Sequence, residues 1–374
     1  MSDGFRVLVL GGYGHFGRIV AGRVAGIDGV SVIIAGRSLS SAEARAARFG
    51  AQGAALDLNA TSFATQLAAL KPDLVISTAG PFQGQDYRVA RAAIAAGAHY
   101  VDIADARKFV CGIAVLDGEA KARGVLAVSG ASSVPALSGA VVDYFAPRFA
   151  QVRSIDHGIS TSAHVPGTAT VAAILGYCGK SFELWRGGTW CSTYGWQWPM
   201  CHRFASPVGL RWLSPCDIPD LELFPNHYPG VETVRFHAGV ESAALQWGIA
   251  LLSWTVRARL VRDAAALAQP LRSIALALER FGSGRSAMFV KVSGDARDGA
   301  PLTCVWELYA ENDDGPNIPC MAAVALTRKL AAGKLAETGA MPCVGLVKLD
   351  EYLAELQGLA IRTEERSESR ATQV

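Results

Sequence analysis

The residues in this sequence best suited to chemistry lie close to its start. Gly12-Tyr13-Gly14-His15-Phe16-Gly17 has the spacing G-x-G-x-x-G, and Gly11, Gly14 and Gly17 recur at every third position. Glycines so spaced, after a strand and before a helix, permit a tight turn and bring backbone N–H groups and the positive end of the helix dipole to a pyrophosphate. The turn therefore predicts dinucleotide binding through Gly11, Gly12, Tyr13, Gly14, His15, Phe16 and Gly17. Twenty residues beyond Gly17 stands Arg37, where a carboxylate that reads the ribose 2'-hydroxyl of NAD(H) would be expected. A guanidinium there pairs with a 2'-phosphate, helped by the Ser38 hydroxyl, so NADP(H) is the expected cofactor.

Further candidates follow the later strands. Asp57 and Leu58 close the third strand-like segment, where Asp57 would meet the adenine edge or simply begin a helix. Thr78, Ala79, Gly80, Pro81 and Phe82 form a turn of mostly small residues that admits a cofactor backbone, with the Phe82 ring placed for the nicotinamide face. Asp102 and Asp105 are candidate acid/base groups or partners for a substrate ammonium, and Asp105 would equally cap the next helix. Neutral donors for a carbonyl or enoyl substrate would be Tyr194, His157 or His164. No G-x-S-x-G occurs, which disfavours a hydrolase. The eight cysteines contain no C-x-x-C pair, and the grouping of Cys191, Cys201, His202 and Cys216 fits no common ligand spacing, so reduced thiols and no metal are expected.

These groups need a frame. Residues 5–10 are a continuous aliphatic run, as in a parallel strand buried on both faces, and 15–25 carry Phe16, Ile19, Val20 and Val24 at helical spacing. The alternation continues with strands at 30–35, 54–58, 74–78, 100–103 and 125–128 and helices at 42–49, 62–70, 87–96 and 115–122. It predicts an α/β, doubly wound parallel sheet over residues 1–131. Beyond that point come a helix at 136–145, a strand at 152–159 and a Pro-, Gly- and aromatic-rich stretch, 182–229, expected to be mostly loop. Helical patterns at 243–260 and 264–281, a hairpin from 287–292 and 303–309, and a helix at 324–330 make residues 132–338 an expected α+β domain. The polar tail 362–374 is expected to fray.

At 374 residues the chain has room for two to three domains. Its 51% hydrophobic and 18% charged residues exclude disorder, and 35 basic against 33 acidic residues (net +2) exclude a nucleic-acid binder built on phosphate neutralisation. A small-molecule substrate is the better expectation. The first residues enter a strand without the basic and apolar regions of a signal peptide, so the cytoplasm is expected. The most apolar run, 242–256, contains Gln246 and falls short of the ~18 residues of a membrane span. A buried or interface helix is expected there and membrane association is not, although Trp247 and Trp254 would suit a lipid interface.

The pattern G-G-Y-G-x-F-G, then A-G-R, S-T-A-G-P-F and Y-V-D-I-A-D, resembles the saccharopine dehydrogenase-like family, in particular its saccharopine reductase and trans-acting enoyl reductase branch. Segments 129–135 and 315–320 are similar to that family too, whereas 160–300 match it thinly and Ala104-Asp105 stands where relatives often carry a small residue followed by Glu. The resemblance implies an N-terminal Rossmann domain, an inserted mixed-sheet domain for substrate and oligomer contacts, and a C-terminal segment, 339–361, returning to the first domain. By matching positions it implies cofactor contacts at Gly11, Gly14, Phe16, Gly17, Arg37, Ala79 and Gly80. The expected activity is hydride transfer between NADP(H) and an imine or amino acid, or a carbonyl or enoyl compound, by a homodimer. The alternatives are a non-catalytic NADP(H) sensor and a membrane-peripheral lipid reductase.

Overall fold

Val7, Leu8, Val9 and Leu10 are almost wholly buried, as a strand covered on both faces must be. The computed structural model describes residues 4–162, 164, 168–280 and 282–369. In chain order its strands are β1 Phe5–Leu10, β2 Val30–Gly36, β3 Gln52–Ala55, β4 Leu74–Ser77, β5 His99–Asp102, β6 Leu126–Ser129, β7 Phe149–Thr161, β8 Ser181–Arg186, β9 Thr189–Tyr194, β10 Met200–Arg203, β11 Leu210–Pro215, β12 Thr233–Val240, β13 Ser286–Ala296, β14 Pro301–Ala310, β15 Gly339–Pro342 and β16 Ile361–Ser369. They divide between two compact units, one made of the chain up to Leu137 with Pro316–Leu356, the other of Ser138–Gly315 and the chain from Gln357 on.

The first unit is the doubly wound sheet that the alternation predicts. Its order is β15-β6-β5-β4-β1-β2-β3, every pairing parallel. The winding reverses between β1 and β4, where a crevice opens at the carboxyl ends of an open α/β sheet. The helix His15–Ala25 starts directly after the glycine turn and buries Gly17, Val20, Ala21 and Val24. The return to this unit begins at Pro316 rather than at 339, so the helix Met321–Ala331 belongs here and not to the second unit.

The second unit is a mixed seven-stranded sheet, β10-β11-β12-β7-β13-β14-β16, in which only β7 and β12 run parallel. Two expectations fail in it. The stretch 182–229 holds four strands and the helix Asp220–His227 rather than loop. Its β8–β9 hairpin closes on Gly187-Gly188, both at positive φ, the two-residue turn whose backbone twist suits antiparallel strands. The tail does not fray over its first part: residues 361–369 form β16 on β14. This strand is held by charge rather than by an apolar face, which hides it from a hydrophobic pattern. Glu307 on β14 is 1% exposed and takes hydrogen bonds from Arg366 (2.7 Å) and Tyr309 (2.7 Å) while facing His202 Nε2 at 2.9 Å. Burial opposes the charge on Glu307, but these bonds outweigh it and hold the pKa at about 2.

Candidate active site

The glycine turn is shaped by close contacts that only glycine permits. Gly11 has φ +78°, and a Cβ on Gly17 would lie 2.1 Å from the Gly11 carbonyl oxygen. Gly11 N–H donates to Ala35 O at 2.8 Å and Gly14 N–H to Gly11 O at 2.8 Å, so the turn is tied to β2 and to itself. Thr78 pins the neighbouring strand, its amide and hydroxyl both donating to Leu10 O at 2.9 Å. Gly14 is the N-cap of the helix and supplies no side-chain cap, and no acid occupies the first turn. An uncapped first turn without an acid suits an anion.

At the end of β2 a second group of polar side chains gathers. The Tyr13 ring lies against Gly36, where a Cβ would come within 2.4 Å of it, and its hydroxyl accepts from Ser38 N–H at 3.2 Å. Ser38 caps the helix Leu39–Ala46: its hydroxyl oxygen accepts from Ser41 N–H (3.2 Å), donates to Ser41 Oγ (2.9 Å) and lies 3.1 Å from Ser40 Oγ. Arg37 precedes this trio and is exposed. One guanidinium, three hydroxyls and a helix N-terminus make a set of donors suited to a phosphate dianion. Ser40 and Ser41 escaped the sequence reading. Their signal is the Ser-Leu-Ser-Ser run, with Ser41 three residues after the N-cap.

The remaining expected contacts divide. Asp57 lies beyond the end of β3 and turns its Oδ1 to Asn59 N–H at 3.0 Å, the local-turn alternative, while Leu58 packs against the core. After β4, Ala79 and Gly80 stand at the reversal of the sheet, and Gln85 clamps their loop by donating to Ala79 O (2.8 Å) and Pro81 O (2.6 Å). Phe82 is a correction. Its ring is 6% exposed and packs on Phe109 at 5.3 Å, so it braces the loop instead of offering a face to nicotinamide.

The two aspartates after β5 differ in kind. Asp102 is fully buried; its Oδ1 accepts from Gly130 N–H (2.9 Å), Ala104 N–H (3.0 Å) and Ser129 Oγ (3.0 Å). It joins the end of β5 to the loop after β6. Oδ2 is buried without a hydrogen bond of normal geometry, although the Tyr100 hydroxyl is near enough to favour its charge. Burial dominates and pushes the pKa up to about 6, against the pull of the Gly130, Ala104 and Ser129 donors. Asp105 instead has exposed surface, and desolvation by the surrounding protein raises its pKa. Gln83 Nε2 approaches it at 3.5 Å.

This difference gives a stability prediction. A carboxyl whose folded pKa lies above its unfolded value stabilises most at low pH, and that contribution disappears as pH rises from about 3.8 to about 6. Asp102→Asn keeps an oxygen for the three donors and removes the titration. Relative to the parent, the variant is expected to gain on the order of 2–3 kcal/mol between pH 4 and pH 7 in denaturant unfolding. A difference that stays constant over that range would refute the assignment of the buried charge to Asp102.

Tyr194, His157 and His164 all belong to the second unit and do not meet there. His157 is fully buried, its Nε2 2.9 Å from Asp220 Oδ2, an oxygen that also accepts from Ser138. That closed cluster fastens β7 to two helices and leaves His157 no surface on which to meet a substrate. His164 pairs with Glu279 at 2.9 Å, and the Tyr194 ring lies 3.9 Å beneath the Arg257 guanidinium. Among the described residues no group of three or more His, Cys, Asp or Glu could hold a metal. A recess of about 300 Å³ lined by Arg6, Val30, Phe49 and Gln52 lies toward the amino ends of β1–β3, opposite the glycine turn.

Comparison with known proteins agrees with this geometry. The family described as saccharopine dehydrogenase NADP binding domain matches residues 7–128. Apo histidine-tagged saccharopine dehydrogenase (L-Glu forming) from Saccharomyces cerevisiae is similar in fold, with a TM-score of 0.71 at 15% identity over 97% of this chain and 100% of its own. A meso-DAPDH mutant with DAP from Clostridium tetani (TM-score 0.46, 14% identity, 93% and 96% coverage) and biliverdin reductase with biliverdin and NADP+ from Synechocystis (0.43, 12%, 94% and 96%) are more distant. No curated protein matches the sequence. Residues 7–128, about a third of the chain, are thus similar to the saccharopine dehydrogenase NADP binding domain, and the fold is that of saccharopine dehydrogenase.

Proposed function

We propose that this chain is an NADP(H)-dependent oxidoreductase acting on a small imine or amino acid, or on a carbonyl or enoyl compound. The observation that carries the reading is the pair of anion sites on one edge of the sheet: the uncapped first turn after Gly11–Gly17 for the pyrophosphate, and Arg37 with Ser38, Ser40 and Ser41 for a 2'-phosphate. Bound there, the cofactor would supply the hydride. The chain's own residues bind and orient: the glycine-turn amides hold phosphate, and Gln85 fixes the Ala79–Gly80 loop. Asp105, with its surface open and its pKa raised, is the carboxyl placed to hold or release a proton, whereas Asp102 serves the architecture. The second unit is proposed to supply substrate contacts and a dimer face.

The test is a parallel titration with NADPH and NADH, followed by energy transfer from the eight tryptophans to the reduced nicotinamide. A preference for NADPH of about tenfold or more is expected, as for a charge-assisted contact. Oxidation of the bound NADPH is then followed with imines, 2-oxo acids with amines, ketones and enoyl esters. Absence of binding by either nucleotide would remove the proposal, and binding without turnover on every class would favour a sensor.

A further inference from the structure

The helix Ala243–Arg257 packs Ile249, Leu252 and Val256 on a core cluster, yet it also buries polar residues and turns large apolar ones outward. Its polar residues Gln246 and Ser253 are fully buried, Gln246 bonding Val240 N–H (3.1 Å) and Ser214 Oγ (2.9 Å), and Ser253 donating to Ala250 O (2.7 Å). Its outward side instead shows Trp247, Leu251 and Trp254, 48%, 68% and 38% exposed. The spacing of these three, four and then three residues, puts them on one face. Water is the wrong environment for that face.

The neighbouring loop extends the same surface by design of its backbone. Trp196 and Trp198 both have positive φ, 65° and 54°, a conformation that bulky side chains adopt only when their surroundings impose it. The anchors are visible: Trp196 is buried and donates to Ile174 O (3.1 Å), while buried Gln197 donates to Ser253 O (3.4 Å) and accepts from Arg257 (3.0 Å). Held this way, Trp198 stays 68% exposed and stands edge-on to Trp254 at 5.1 Å.

Area and charge indicate what covers this surface. Four such side chains expose on the order of 500 Å² of apolar surface, short of the ~800 Å² per partner of a stable dimer. No Asp or Glu occurs between Ser242 and Arg262, while Arg257, Arg259 and Arg262 follow one another at the end of the helix with Leu260, 80% exposed, among them. The nearest acid beyond, Asp263, lies 3.8 Å from Lys180. Indole rings beside a cationic cluster match the boundary of an anionic lipid layer, where rings sit among headgroups and arginines meet phosphates. No helix among the described residues is long and apolar enough to cross a membrane. We propose that this face, Trp198, Trp247, Leu251 and Trp254 with the arginines behind them, docks the protein on the surface of an anionic lipid membrane.

The full chain is to be sedimented with vesicles of phosphatidylcholine alone or mixed with phosphatidylglycerol. Partition at least tenfold stronger into the mixed vesicles is expected, weakening as salt rises. Trp198→Ser with Leu251→Ser, both at exposed positions, is expected to lower it by about tenfold or more, and Arg259→Glu with Arg262→Glu to remove the anionic preference. In the unaltered chain, lipids brominated on their acyl chains should quench tryptophan fluorescence, a readout that depends on no variant. Failure to sediment with either vesicle, absence of quenching, or equal partition of the serine variant overturns the proposal. So does a dimer that the serine variant converts to monomer in ultracentrifugation, which would give the face to a second copy of the chain.

Discussion

Gly17→Ala is expected to abolish measurable dinucleotide binding, a loss of more than about 1,000-fold, and to destabilise the first unit by about 1–3 kcal/mol. The added Cβ would lie 2.1 Å from the Gly11 carbonyl oxygen, 2.8 Å from its carbon and 2.7 Å from Thr78 Oγ1. Two of these atoms are backbone, and the third is held by its bond to Leu10 O. No rotamer relieves the contact, so the helix must move away from the strands or the turn must change shape. Either response displaces the first-turn amides proposed to hold the pyrophosphate, and a displacement of an ångström is enough to lose aligned hydrogen bonds. Gly26→Ala is the matched control, because its Cβ would meet only Arg23 O at 3.5 Å. Isothermal titration with NADPH on both variants checks the prediction. Full affinity in Gly17→Ala would mean that the nucleotide does not rest on this turn.

The first unit was legible because its signals are local and strong. A strand buried on both faces is a continuous aliphatic run, and Val7 to Leu10 is one. The second unit hides its strands in other ways. The β8–β9 hairpin is marked by Gly187-Gly188 rather than by alternation, and β12 mixes His237 and Arg235 into its run. In β16, Arg362, Glu364, Arg366 and Glu368 give no apolar face at all, and pairing with β14 depends on Glu307, 59 residues earlier than Arg366. At the site, spacing located the glycines and Arg37 but could not say which way an aromatic turns. Phe82 follows the β4 loop as a cofactor-facing ring would, and it is Phe109, distant in sequence, that draws it inward. Asp102 and Asp105 likewise differ by only three positions, and only the donors converging from Ser129 and Gly130 show that the first is structural.

Arg37→Ala is expected to weaken NADPH binding by about 10- to 150-fold, the 1.5–3 kcal/mol of a hydrogen bond to a charged group, and to leave NADH binding within about twofold. The asymmetry follows from the placement of Arg37. It follows the end of β2 directly, next to the Ser38 cap, and among the described residues no carboxylate pairs with it. Its loss therefore takes away a ligand donor without freeing a buried acid or opening the core. Ser40→Ala with Ser41→Ala should cost less, because the Ser38 hydroxyl and the helix N-terminus remain. Arg37→Lys should fall between, since an ammonium keeps the charge but loses the planar, two-pronged geometry that matches a phosphate. Salt separates the contributions further. Raising ionic strength should narrow the NADPH preference of the parent chain and leave that of Arg37→Ala nearly flat, because the screened attraction is the one the variant lacks. Equal losses for NADPH and NADH would instead place Arg37 at the shared part of the two nucleotides, and the selectivity would have to come from the serine hydroxyls alone.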